Sequence, residues 1–151
     1  MKVKKPEKIV AALIEAANNK NKLSIANSLI LGFLAGSFIA LGGLLAIRVV
    51  AALPGEIWGS MGRLFFAGVF PVGLMMIIFT GSELATGNMT TQPLAWLNGD
   101  IRLKHVFKNW FFVFIGNVIG SLFVAYFFAN ISGILGVEPQ ASYIVNLANN
   151  K

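Results

Sequence analysis

Cysteine is absent from the chain, histidine occurs once, and only 12% of the 151 residues are Asp, Glu, Lys or Arg. The first absence removes disulfides, thiolate nucleophiles and thiolate metal sites. The second leaves no histidine pair to complete a metal set. The lone His105 has Arg102, Lys104 and Lys108 as neighbours, where a solvated histidine at a membrane boundary is the ordinary reading. No nucleophile triad, phosphate-binding loop or paired-carboxylate site is present, so neither an enzyme, a cofactor nor a metal is expected. The scarcity of charge is uneven: windows 23–47, 64–82 and 109–137 contain none. A membrane-spanning helix needs about 20 mostly apolar residues, which the first and third windows supply and the second nearly supplies.

With 56% hydrophobic residues and a mean hydropathy of +0.74, the expected fold is an all-α membrane protein. The net charge of +6 does not indicate nucleic acid, because the basic residues lie outside the apolar windows and form no face interleaved with exposed aromatics. Residues 1–22 form an N-terminal polar region whose residues 6–19 carry Ile9, Ala12, Leu13, Ala16 and Ala17 at helical spacing after Pro6. This amphipathic helix is expected to tuck against the other segments rather than sense lipid. The apolar run that follows is too long for a signal peptide and lacks a cleavage site, so it should be retained.

The transmembrane region, 23–151, divides into spans near 23–52, 61–97 and 105–131. In the first, Gly32 and Gly36 form a small-xxx-small pair, and Gly116 and Gly120 repeat the spacing in the third, with Asn117 between them as a candidate interhelical hydrogen-bond group. Arg48 near the end of the first span is expected to snorkel to the interface. Trp58 marks an interfacial turn, Asn98-Gly99-Asp100 another, and the aromatic run 110–114 reads as a packing or lipid-facing surface. Arg102, Lys104 and Lys108, with six lysines ahead of the first span, place the N-terminus and the second loop in the cytoplasm. Three spans then leave the C-terminus outside.

The second span is interrupted. From Thr80 to Gln92 it holds Gly81, Ser82, Glu83, Thr86, Gly87, Asn88, Thr90 and Thr91, followed by Pro93, which is placed as the first residue of a second, shorter helix. Irregular chain at membrane depth survives only when buried in protein or lining a polar cavity, and such a break is the best sequence pointer to a transport site. The amides near 90–94 would then face an anion, with neutral hydroxyls and amides as donors. Glu83 is the one ionisable group in the break. Because a carboxylate in an anion path repels its substrate, a structural role, paired with a basic residue or bonded to loop amides, is the preferred reading. The competing functional readings are a non-transporting membrane subunit or anchor and a channel for neutral solutes.

The motif Gly81-Ser82-Glu83-Leu84-Ala85-Thr86-Gly87-Asn88 resembles the loop signature G-[AS]-[DE]-L-F-T-[GS]-N of the formate/nitrite transporter family. Lys108-Asn109-Trp110 followed by Gly116-Asn117-Val118-Ile119-Gly120 resembles its third-helix pattern. The resemblance covers nearly the whole chain but about the N-terminal half of a family member. It implies half of a six-span, aquaporin-like inverted repeat and a homopentamer in the cell membrane whose protomers each carry a small weak-acid anion such as formate or nitrite, coupled to a proton. It further implies that Leu84 and Ala85 form a cytoplasmic constriction, that Thr86 hydrogen-bonds substrate, and that Phe70 and Leu74 narrow the path. Asn88 and Thr90 belong to the same pathway set, Gly81, Glu83, Gly87 and Pro93 shape the break, and Lys151 lends the outer vestibule positive potential. Ala85 departs from the family's phenylalanine, which implies a wider constriction or a different substrate. The second broken helix and central histidine of the family would lie in a C-terminal half, so the chain is expected to be a truncated sequence or gene fragment.

Overall fold

The structure, a computed structural model, describes residues 5–53 and 55–150, apart from the side chain of Glu56. Every regular element among them is helical. Helix α1 (Pro6–Asn21) precedes α2 (Ile25–Ala51), the first span. A short turn of helix α3 (Gly55–Trp58) leads into α4 (Met61–Val69), which continues through Phe70 and Pro71 into α5 (Val72–Thr80). After the break comes α6 (Ala85–Leu97), then α7 (Leu103–Phe123), whose last turns widen to a π-helix over Val124–Ile131. Helix α8 (Gln140–Asn149) ends the described chain. Three stretches, Ile25–Ala51, Met61–Thr80 and Leu103–Ile131, are long and apolar enough to cross a membrane.

Helix α2 is the hub, packed against α4, α5, α7 and α8. Its contact with α7 is backbone on backbone. A Cβ added at Gly32 would lie 2.8 Å from the Val113 carbonyl oxygen, and one at Gly116 would lie 2.7 Å from that of Leu29. Gly36 faces the Asn117 backbone and Gly120 faces Phe33 with still less room. The paired glycines thus form one seam, where close approach allows dispersion and hydrogen bonding to hold helices that no hydrophobic effect drives together in lipid. Two hydroxyls stitch it: Ser37 Oγ donates to the Gly120 carbonyl at 3.3 Å and Ser121 Oγ to that of Gly36 at 3.1 Å. A second seam, unmarked by any spacing motif, joins α2 to α5 at Gly42 and Gly73. A Cβ on Gly42 would stand 2.8 Å from the Phe70 carbonyl oxygen.

Large apolar side chains cover the outside, among them Ile57, Leu64, Phe79, Leu97 and Leu122, as expected where hydrocarbon rather than water is the solvent. Arg48, expected to snorkel to the interface, is exposed near the end of α2, and its guanidinium donates to the Ile134 carbonyl at 3.4 Å, tying that end to the loop after the π-helix. At the opposite end α1 lies against α6 and touches α7, with Ala17 fully buried.

The break is narrower than the sequence pattern suggests. Only residues 81–84 leave helical geometry, and Pro93 does not open the second half-helix but sits inside α6. The reason is a cap supplied from another helix: Asn117 Oδ1 accepts the Ala85 amide at 2.9 Å, which starts α6 eight residues before Pro93. Proline in a helix interior removes one backbone bond, and packed neighbours make that tolerable.

The seam predicts opposite outcomes for two glycine substitutions. Gly36→Leu, meeting backbone, should lower the melting temperature in detergent sharply, since overpacking costs about 1–3 kcal/mol even where side chains can adjust. Gly68→Ala, with open space around it, should leave it unchanged or raise it, because alanine favours helix over glycine by about 0.5–1 kcal/mol.

Candidate functional site

The break begins where α5 ends. Gly81 takes a left-handed conformation, φ 67°, that glycine enters without the Cβ penalty, and its amide and that of Ser82 both reach the Ile77 carbonyl. Thr80 Oγ1 donates to the Met76 carbonyl at 2.7 Å and lies 2.7 Å from Ser82 Oγ. Next the chain is sewn to its neighbours. The Glu83 amide donates to the Leu31 carbonyl at 3.2 Å, and Asn117 Nδ2 donates to the carbonyls of Gly32 at 2.8 Å and Glu83 at 2.9 Å. Asn117 therefore bonds three backbone groups on two segments with one side chain. The sequence expectation of an interhelical hydrogen-bond group at this position is met, with the break as its principal partner.

Glu83 is 4% exposed, and its carboxylate is paired. Lys20 Nζ, from the last turn of α1, stands 3.2 Å from Glu83 Oε2. The same ammonium donates to Asn88 Oδ1 at 2.6 Å, while Asn88 Nδ2 donates to Glu83 Oε2 at 2.7 Å and to Asn109 Oδ1 at 2.9 Å. Trp110 Nε1 closes the group by donating to the Asn88 carbonyl at 3.2 Å. A buried ion pair persists when further hydrogen bonds satisfy what the pairing leaves open, and this one meets that condition. Two more bonds lash α1 to the second half-helix and the turn that follows it: Asn21 Nδ2 donates to Gln92 Oε1 at 2.7 Å and Asn18 Nδ2 to Asp100 Oδ2 at 2.6 Å. Sequence reasoning placed the helix correctly but missed Lys20. The usable signal was the lone carboxylate itself, which at such depth demands a cation, and the lysines ahead of the first span were the nearest source.

The two half-helix ends flank a cleft of about 300 Å³ lined by Leu74, Ile78, Gly81, Ser82, Leu84 and Gly87, with Lys20 and Glu83 at its edge. Of the residues expected on a pathway, Leu74 and Leu84 meet here, beside Gly81 and Gly87. Phe70 lies one turn from Leu74 along the same stripe and stacks on Phe66 at 6.0 Å. Thr86 and Thr90 are exposed, one turn apart on α6. Ala85 and Asn88 point the other way and are buried at 4% and 0% exposure. Every polar atom of the Asn88 side chain is engaged with protein, so it braces the break rather than offering a donor to a solute. Lys151 lies outside the described residues.

The electrostatics follow from geometry. The first amides of a helix have no intrahelical acceptor and carry partial positive charge. In α6 the Ala85 amide is taken by Asn117 and the Asn88 amide bonds the Leu84 carbonyl. Those of Thr86 and Gly87 are the ones the helix itself cannot use, and Gly87 lines the cleft. The unpaired helix-end amides thus sit at 86–87, not at 90–94, because α6 starts earlier than Pro93 suggested. Glu83 does not oppose them, since Lys20 neutralises it at contact distance.

Removing one member of the ion pair should be worse than removing both. Lys20→Met or Glu83→Leu alone leaves a buried charge or its partner unmatched, a change that costs about 3–5 kcal/mol in buried pairs. The partial exposure of Lys20 puts its own loss at the low end of that range. The double variant should regain most of the melting temperature lost by Lys20→Met, read by thermal unfolding in detergent.

Comparison with known proteins identifies the family. The family model described as Formate/nitrite transporter matches residues 7–151. An uncharacterized transporter, YrhG, of Bacillus subtilis (strain 168) is 46% identical over 151 residues, covering 100% of this chain and 56% of the relative. The formate channel BtFdhC of Bacillus thuringiensis is 45% identical over 130 residues, 86% of this chain and 50% of that protein. A "Probable formate transporter" of Methanothermobacter thermautotrophicus is 36% identical over 149 residues, 98% of this chain and 54% of that protein. The chain spans about half the length of these curated relatives. With three apolar spans, a glycine-built seam and a broken second helix braced by Asn117 and Glu83, it is a multi-pass membrane protein and belongs to the formate/nitrite transporter family.

Proposed function

We propose that this chain lines a transmembrane path for a small monovalent anion of a weak acid, formate, nitrite or a relative. The observation that carries the reading is the cleft at the break, where the start of α6 at Gly87 meets apolar Leu74 and Leu84 beside a carboxylate already neutralised by Lys20. The names of the relatives, a formate channel and a formate transporter, support the substrate class. Thr86 offers the solute a neutral hydroxyl, Leu84 and Leu74 squeeze off its water, and Phe70 narrows the approach. Ala85 faces the protein interior, so the small side chain is read here as fitting the packing behind Leu84 rather than as widening the path.

The approach starts at a second cleft, about 370 Å³, between α4 and α8, lined by Arg63, Phe66, Tyr143, Asn146 and Asn150. Arg63, Phe66, Phe70 and Leu74 follow one another along a single helical stripe, which leads from this basic cleft toward the break. Lys151, adjacent to Asn150, would add to the positive potential there. An unprotonated anion in a dry constriction pays a large desolvation cost, so passage is coupled to a proton that neutralises it. The excess of basic residues ahead of the first span and in the second loop supports a cytoplasmic N-terminus, and the family resemblance supports the cell membrane as its place. The length of the relatives supports a complementary half that completes a six-span inverted repeat, and the family resemblance supports a homopentamer.

Proteoliposomes of the natively assembled protein should take up labelled formate or nitrite, faster as external pH is lowered. Thr86→Val should slow uptake by roughly 2- to 10-fold, the worth of a neutral hydrogen bond of about 0.5–1.5 kcal/mol. Leu84→Ala should weaken discrimination against larger anions. Absence of anion flux together with rapid osmotic swelling would replace this reading with a neutral-solute channel. Absence of both would leave a structural subunit.

A further inference from the structure

Away from the cleft, α6 and α7 form a groove of about 670 Å³ that the pathway does not use. Its walls are Met89, Phe107, Trp110, Phe111 and Phe114, and its rim at one end carries Lys104 and Lys108. The two lysines are one turn apart, and Phe107, Phe111 and Phe114 continue the same face of α7. From Lys104 to Phe114 the face runs about 15 Å at 1.5 Å per residue. That is half of a hydrocarbon core about 30 Å thick, the depth of a single leaflet. Around Lys108 the groove meets a small polar cavity, about 30 Å³, lined also by Asn21, His105 and Asn109. His105 Nδ1 accepts the Arg102 amide at 3.3 Å, which turns its other ring nitrogen outward from that bond. Among the described residues none of Arg102, Lys104 and Lys108 makes an ion pair. Trp110 is held by its bond to the Asn88 carbonyl and packs edge-on against Phe107 at 5.7 Å, so the wall is stiff.

We propose that this groove binds one anionic phospholipid, with its phosphate between Lys104, Lys108 and His105 and one acyl chain along Phe107, Phe111 and Phe114. The charge at one end selects an anionic headgroup over a zwitterionic one. The one-leaflet length favours a lipid over a spanning helix of another protein. Basic pockets between helices at a membrane face are a recurrent headgroup site. The proposal does not rest on transport, so it stands or falls separately from the pathway reading.

The test uses the natively assembled protein in mild detergent, titrated with phosphatidylglycerol or phosphatidylcholine and read by native mass spectrometry and thermal unfolding. Phosphatidylglycerol should be retained preferentially and raise the melting temperature by several degrees more than phosphatidylcholine. The double variant Lys104→Gln/Lys108→Gln should lose that difference while keeping its helical circular dichroism. Should the variant not fold, raising salt on the wild type gives the same reading, because exposed charges are screened beyond about 10 Å at 0.1 M. Equal retention of both lipids, or a preference that survives both the substitutions and high salt, overturns the proposal. A Phe111→Cys variant supplies the chain's single thiol. Capture of a second copy or of the complementary half by a photoreactive cross-linker attached to that thiol, in the membrane, would also overturn it, by making the groove a protein interface.

Discussion

A helix that stops inside an apolar span releases backbone donors and acceptors that lipid cannot satisfy, each at a cost of several kcal/mol. The architecture follows from the need to rehouse them. Asn117 takes the Ala85 amide and gives its own amide hydrogens to the Gly32 and Glu83 carbonyls. It reaches all three because the glycines on either side of it bring α2 and α7 to backbone contact. Substituting Asn117 by leucine would leave the Ala85 amide and the Glu83 carbonyl unmatched in the same place.

The same constraint explains the polar group beneath the break. Glu83 bonds through both backbone groups and a carboxylate, and the carboxylate draws in Lys20, Asn88 and, through Asn88, Asn109. Helix α1 is consequently more than a surface appendage. Its last turn contributes the cation without which an acidic group would sit buried beside the cleft, and its asparagines bond Gln92 on the second half-helix and Asp100 in the turn after it. The charge that balances the carboxylate beside the cleft is thus contributed from the first twenty-one residues, far along the chain from the break itself.

Much of this was legible in the sequence. Charge-free windows located the spans, because transfer into lipid penalises charge so heavily that composition alone marks them. The glycine spacings at 32/36 and 116/120 located the main seam, since few other constraints produce that pattern. The Gly42–Gly73 contact was not legible, because Gly73 is the single glycine of α5 and only the packing pairs it with Gly42. Pro93 misled: proline at the start of a helix is the commoner situation, and nothing local reveals that a side chain from α7 begins that helix eight residues earlier. Asn88 misled for a related reason. A polar residue in a break looks like a solute contact until the direction of its side chain is known, and here it faces inward to full burial.

The glycine seam also acts as a ruler. Because α2 and α7 touch through main-chain atoms, their relative height has a single solution, and sliding either by one residue would drive a branched or aromatic side chain into the other's backbone. Asn117 is fixed on that ruler between two of its marks, and with it the depth at which the second span opens. Side-chain contacts can be retuned by small changes of volume, but this one has no volume left to trim. The elevation of the break is therefore a property that the chain can lose in one substitution and cannot adjust in small steps.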